Sequence, residues 1–252
     1  MLRTERLTRT FGGLAAVSNL DLNLRQGELV GLIGPNGAGK TTVFNLLTGV
    51  YHPSSGDIIF ENESLVGHKP FQITAKGLAR TFQNIRLFES LSVLENVKIA
   101  LHWHSRYSLF SALFRLKGFY AGEEKMTAEA LRLLELFNLD HKKDELAKNL
   151  PYGEQRRLEI VRAIAAKPKI LLLDEPAAGM NPQETQDLMA LIQKVRKLFN
   201  LTILLIEHDM SLVMGICERI YVLDYGKVIA QGTPAEIKNN KRVIEAYLGE
   251  EA

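Results

Sequence analysis

At 252 residues the chain is long enough to bury a large apolar core without staples, and 46% hydrophobic with 24% charged residues describes an ordinary globular protein. A formal charge of +2 excludes nucleic-acid binding driven by bulk electrostatics. The single cysteine, Cys217, excludes an internal disulfide or a CxxC metal site and reads as a buried small hydrophobe in a reducing compartment.

The N-terminus, MLRTERLTRTFGG, lacks the apolar core of a signal peptide, and no window approaches the roughly 18 apolar residues of a membrane span, so the chain is expected to stay in the cytosol. The first strong element is GELVGLI, a strand running into GPNGAGKTT. Gly34, Gly39, Lys40 and Thr41 satisfy GxxxxGK[ST], with a helical pattern from Lys40 to near Gly49. Such a loop turns its backbone N–H groups into one concavity at a helix N-terminus, where phosphate is favoured. The candidate ATP-binding stretch is therefore Gly34, Pro35, Asn36, Gly37, Ala38, Gly39, Lys40, Thr41 and Thr42, with Lys40 on the β and γ phosphates and Thr41 on Mg²⁺.

Ser92 with Glu95 marks the next helix start. Between His102 and Tyr120, Trp103, Tyr107, Phe110 and Phe114 recur at helical spacing. That face either packs on neighbouring helices or, with Arg106, Arg115 and Lys117 beside it, meets a membrane partner or lipid headgroups. A further helix is predicted from about Thr127 to Phe137, and another, RRLEIVRAI, follows LPYGEQ at Leu150–Gln155.

KILLLDEP and TILLIEHD read as buried parallel strands of a sheet covered on both faces. The first ends in Asp174, a metal or metal-water ligand, and Glu175, a base or polariser for water attacking the γ-phosphate. The second ends at His208, within reach of the same phosphate. Asn181 with Glu184 and Thr233 with Glu236 cap two more helices, each followed by proline at the first helical position. There is no internal repeat, low-complexity linker or long heptad array.

In order along the chain, the loop at Gly34–Thr41, TFQN at Gln83, LPYGEQRR, LLLDEP, AGMNP at Asn181 and EHD at His208 closely resemble the ATP-binding cassette family. The resemblance implies a single α/β domain over 1–252, a P-loop NTPase with a RecA-like, mainly parallel core. It implies an N-terminal antiparallel β subdomain (together 1–85 and 164–252) and an inserted helical subdomain at 86–163. It implies ATP and Mg²⁺, the metal held by Thr41, Gln83 and Asp174, with Glu175, His208 and Gln83 as catalytic residues. Phe11 falls where the family sets an aromatic against adenine, with Val17 nearby; ordinary packing in the β subdomain is the other reading of Phe11. A head-to-tail dimer would bring Pro151, Tyr152, Gly153, Glu154 and Asn181 onto ATP held by a second cassette.

FGGLAAVSN, ARTFQNIRLF, YGEQRRLEI, DEPAAGMNP, LLIEHDMSLVMGI and VIEAYLGEE narrow the resemblance to the ATPase subunits of branched-chain amino acid importers. Such a subunit works peripherally on the cytoplasmic side of the cell membrane with integral permease subunits and, indirectly, a periplasmic binding protein. Nucleic acid is not an expected partner. An exporter cassette, as for lipopolysaccharide, is the alternative within the family; a nucleic-acid or ribosome ATPase would carry coiled-coil arms or a second cassette, and a small-molecule kinase would not need LPYGEQ. Two positions depart from the family pattern: Asn181 stands for an aspartate, and Pro151 for the serine whose hydroxyl would contact the γ-phosphate across the dimer.

Overall fold

The computed structural model describes residues 1–103 and 117–248. The chain runs β1 (Leu2–Phe11), β2 (Leu14–Leu20), β3 (Asn23–Leu24), β4 (Leu29–Ile33), α1 (Lys40–Leu47), β5 (Ser55–Phe60), β6 (Glu63–Ser64), α2 (Pro70–Lys76), β7 (Leu78–Arg80) and α3 (Val93–His102). It continues through α4 (Lys117–Leu136), α5 (Tyr152–Ala165), β8 (Ile170–Asp174), α6 (Pro182–Phe199), β9 (Thr202–Ile206), α7 (Met210–Ile216), β10 (Arg219–Asp224), β11 (Lys227–Gly232), α8 (Pro234–Lys238) and α9 (Lys241–Leu248).

Six strands form the main sheet in the order β11-β10-β4-β9-β8-β7. All neighbours are parallel except the β10–β11 hairpin. Strands β8 and β9 are buried at every position, as their unbroken apolar runs predict for strands covered on both faces. Alternation then divides them between two cores. Leu171, Leu173, Ile203 and Leu205 join the helices α3 to α6 on one face; Ile170, Leu172, Leu204 and Ile206 pack with Val43 and Phe44 of α1 on the other. A second, antiparallel sheet, β2-β1-β5-β6 with β3 on β1, continues that second core through Leu2, Leu7, Leu20 and Phe60.

The capping boxes at Ser92, Asn181 and Thr233 form as their spacing predicts, each side chain accepting from the amide three residues on. The helix expected from Thr127 is already helical at Lys117; Gly118 and Gly122 hid that stretch from a propensity reading. Cys217 is buried, and burial pushes its thiol up to about 12, so it is inert packing. Of the aromatic series, Trp103 is 62% exposed. Tyr107, Phe110 and Phe114, with Arg106 and Arg115, lie outside the described residues, as does the side chain of Lys117.

Candidate functional site

Strand order brings the chemistry together. Leu32 of β4 pairs with Ile206 of β9, which pairs with Asp174 of β8, and one strand further Arg80 of β7 pairs with Leu172. Neighbouring strands lie ~4.8 Å apart, so four adjacent C-terminal ends deliver the phosphate loop, His208, Asp174–Glu175 and Gln83 to one edge of the sheet.

The loop's shape follows from its glycines. Gly34 and Gly39 have φ of 149° and 103°, and a Cβ on them would meet Leu223 O at 2.0 Å and Ala16 O at 2.4 Å. Gly39 N-caps α1 with no side-chain cap and no acidic residue in the first turn, unlike the boxed helices α3, α6 and α8. An uncapped N-terminus leaves amides for an anion. Lys40 lies against the loop, its Nζ donating to the carbonyls of Gly34 at 2.6 Å and Pro35 at 2.8 Å. Asn36, Gly37 and Thr41 are exposed and Thr42 is half-buried, whereas Ala38 packs its methyl into the core. Pro35 has no N–H to offer a phosphate; its carbonyl accepts from Lys40 Nζ and from Ala38 N, which shapes the loop.

Glu175 sits in left-handed backbone at φ 47°, an uncommon conformation for a non-glycine residue, with its N–H bonded to Ile206 O at 2.9 Å. Both carboxylate oxygens are addressed. His208 Nε2 is 2.7 Å from Oε1, and Gln83 Nε2 donates to Oε2 at 2.9 Å. The structure thus unites three residues that lie far apart in sequence.

Asp174 is 3% exposed and its Oδ2 accepts from Arg80 Nη2 at 2.7 Å, a buried ion pair that the sequence did not announce. Among the described residues no group of three or more His, Cys, Asp or Glu is poised to hold an ion. The hard oxygen donors of Thr41, Gln83 and Asp174 nonetheless suit Mg²⁺, which typically takes one or two carboxylates and completes its shell with substrate phosphates and water.

Three further buried ionisable side chains organise these loops. Glu207 accepts from Ala177 N at 2.8 Å and His208 N at 3.2 Å, tying the turn after Glu175 to the turn that carries His208; burial holds its carboxyl above the usual range. Arg156, with no exposed surface, donates to the carbonyls of Phe82 at 2.6 Å and Gln83 at 2.7 Å and pairs with Glu159 at 2.9 Å. Glu159 in turn accepts from Phe82 N and Arg86 N, both at 3.3 Å, and burial raises its pKa. The only forewarning of that clamp was an i,i+3 Arg–Glu pair on an otherwise apolar helix face.

Phe11 is 40% exposed, which removes core packing as its explanation. Its ring meets Tyr51 edge-on at 5.3 Å with Arg9 4.5 Å over its face. Val17 is fully buried, packed in the core that also holds Ala38 of the phosphate loop.

Pro151 is the N-cap of α5, with φ −54° and ψ 152°. Tyr152 and Gly153 supply the first two amides of the helix, which fall outside its internal ladder. The N–H of Glu154 donates to Pro151 O at 3.0 Å and its carboxylate pairs with Lys142 at 2.6 Å. Asn181 caps α6 through Glu184 N at 2.9 Å. A Cβ on Gly179 would stand 3.2 Å from the Tyr152 ring, which places this turn against α5.

A groove of about 430 Å³ opens between α2, α3 and α5, lined by Phe71, Phe88, Ile99, Trp103, Arg80 and Arg162. Among the described residues no helix is long and apolar enough to cross a membrane.

Residues 17–178 match the family model described as ABC transporter, and residues 227–252 match that of the branched-chain amino acid ATP-binding cassette transporter. The chain is 50% identical to the high-affinity branched-chain amino acid transport ATP-binding protein LivG of Salmonella typhimurium, over 99% of this chain and 98% of that one. Among solved structures it is similar to the ADP conformation of MJ1267, an ATP-binding cassette of an ABC transporter (TM-score 0.85, 31% identity, covering 99% and 98%). It is also similar to MJ0796 in a dimeric post-hydrolysis state bound to ADP and Pi (TM-score 0.79, 26% identity, covering 93% and 99%).

Proposed function

The chain belongs to the ATP-binding cassette transporter family, and we propose that it is the ATPase that energises import of branched-chain amino acids from the cytoplasmic face of the membrane. It hydrolyses ATP to ADP and phosphate. The observation that carries the mechanism is Glu175 held between Gln83 and His208 beside the phosphate loop. In this reading Glu175 orients and deprotonates the attacking water, His208 stabilises the γ-phosphate, and Gln83 senses both water and metal. Thr41, Gln83 and Asp174 would hold Mg²⁺, which when bound offsets charge developing on the phosphates.

We read 1–252 as one cassette, with 86–163 as the helical subdomain and the remainder as core and β subdomain. Phe11 is the adenine platform. Pro151, Tyr152, Gly153 and Asn181 act on ATP held by a partner cassette, through the free end of α5 and through Asn181 beside it. The groove beside Trp103 receives a cytoplasmic segment of the permease, since exposed aromatics flanked by arginines are the composition of protein-binding patches. Similarity to LivG along the whole chain, with the C-terminal branched-chain model, favours this importer over an exporter.

The test is reconstitution with the permease subunits and binding protein in proteoliposomes. ATP hydrolysis and uptake should both rise with leucine, isoleucine or valine in the presence of binding protein. Hydrolysis indifferent to all three would sink the importer reading.

A further inference from the structure

Arg80 occupies a position that neither the phosphate loop nor the catalytic triplet accounts for. One guanidinium nitrogen donates to Asp174 Oδ2 at 2.7 Å and the other to Asn45 Oδ1 at 2.7 Å. Its guanidinium carbon stands over two rings, 5.3 Å from the centroid of Phe44 and 5.0 Å from that of Phe82, the residue before Gln83. Its side chain is only 6% exposed, and Arg80 is one of the residues that line the groove beside Trp103. Nε is buried without a hydrogen-bond partner among the described residues.

These contacts have an asymmetry that matters. A planar guanidinium clamped by two oxygens and two rings has one allowed orientation, so the Asp174 carboxylate it grips is fixed through Oδ2. Because Arg80 both grips that carboxylate and lines the groove, it can hold the carboxylate only while its own place in the groove wall is kept. The same group therefore senses two places: the carboxylate expected to meet the metal, and the wall of the groove.

We infer that Arg80 is a positioning residue that presents Asp174 to the metal and mechanically joins that carboxylate to the groove beside Trp103. The inference rests on the ATPase reading for the metal, but it concerns a link that hydrolysis alone does not require. Groove and metal site inform each other through one side chain: seating the metal on Asp174 pulls on the guanidinium, and the guanidinium moves the groove wall.

Trp103 is the sole tryptophan of the chain, so its emission reports the groove without labelling. The experiment titrates Mg²⁺ into metal-stripped full-length protein saturated with a non-hydrolysable ATP analogue and follows Trp103 emission. Wild type should respond. In Arg80→Met the response should vanish or its half-maximal Mg²⁺ concentration should rise about 10- to 100-fold, as when a residue orienting a metal ligand is removed. Analogue binding in EDTA should stay near the wild-type level. Arg80→Lys keeps the charge but cannot grip Asp174 and Asn45 together, so it should fall between the two; it decides the question if Arg80→Met fails to fold. An unshifted titration in the folded variant, or a wild type that binds analogue yet shows no Mg²⁺ response, overturns the inference. A wild type that binds no nucleotide overturns the ATPase reading instead.

Discussion

His208 Nε2 stands 2.7 Å from Oε1 of Glu175, and the Gln83 side-chain amide fills the other oxygen at 2.9 Å. Glu175 is 15% exposed and rooted in left-handed backbone, so its carboxylate is held by three separate strand ends, its own and those that carry Gln83 and His208. Glu175→Gln keeps size and both hydrogen-bonding positions but removes the base. It should lower the rate of phosphate release about 10²- to 10⁴-fold while ATP binding persists. A variant that hydrolyses at the parental rate would remove Glu175 from the chemistry.

How far the sequence carried this site depends on the range of each signal. The capping boxes at Ser92, Asn181 and Thr233 are short-range, since both partners lie within one helical turn, and they form as read. The strands ending in Asp174 and His208 were legible because burial on two faces writes an unbroken apolar run. Their adjacency, and that of β4, depends on pairings between distant segments. The Arg80–Asp174 ion pair and the Arg156 grip on Phe82 and Gln83 were illegible for the same reason: each joins residues more than seventy positions apart. The burial of Val17 and the Lys142 pairing of Glu154 were likewise invisible in the sequence, because a family motif assigns a position to a site without saying what that side chain packs against.

Glu207 gives a pH signature. Its folded pKa is raised, first by burial, against the ordinary 4.5, with the amides of Ala177 and His208 pulling the other way. A carboxyl more basic in the folded state contributes stability that is fully present below about pH 4.5 and is lost as pH rises through the raised value. Glu207→Gln cannot titrate. Denaturant melts across that window should show the stability of wild type relative to Glu207→Gln declining as pH rises; a constant or increasing difference would contradict the burial argument.

Arg156→Ala should be among the most damaging substitutions outside the nucleotide contacts. It removes a fully buried cation, leaves Glu159 uncompensated, and frees the carbonyls of Phe82 and Gln83. Breaking one side of a buried ion pair costs about 3–5 kcal/mol. For a chain of this size that corresponds to a melting temperature lower by ~6–20 °C, read by calorimetry. A shift of under about 2 °C would mean that the clamp contributes little.

Pro151 raises the question of which group at the start of α5 contacts a partner's nucleotide. Its dihedrals suit serine equally well, and it provides no side-chain cap. Serine there could accept from the Gly153 or Glu154 amide, so Pro151→Ser should stabilise the protein by about 0.5–2 kcal/mol. If a serine hydroxyl were the essential phosphate contact, restoring it would add a charge-assisted hydrogen bond of ~1.5–3 kcal/mol and raise hydrolysis tenfold or more. Because the Tyr152 and Gly153 amides and the helix dipole are present without it, the expected change is below about tenfold, measured over a range of protein concentrations. Turnover in both proteins should rise more steeply than linearly with concentration, since each site needs the partner's α5. An inactive parent rescued by Pro151→Ser would show that the hydroxyl, not the backbone, carries the contact.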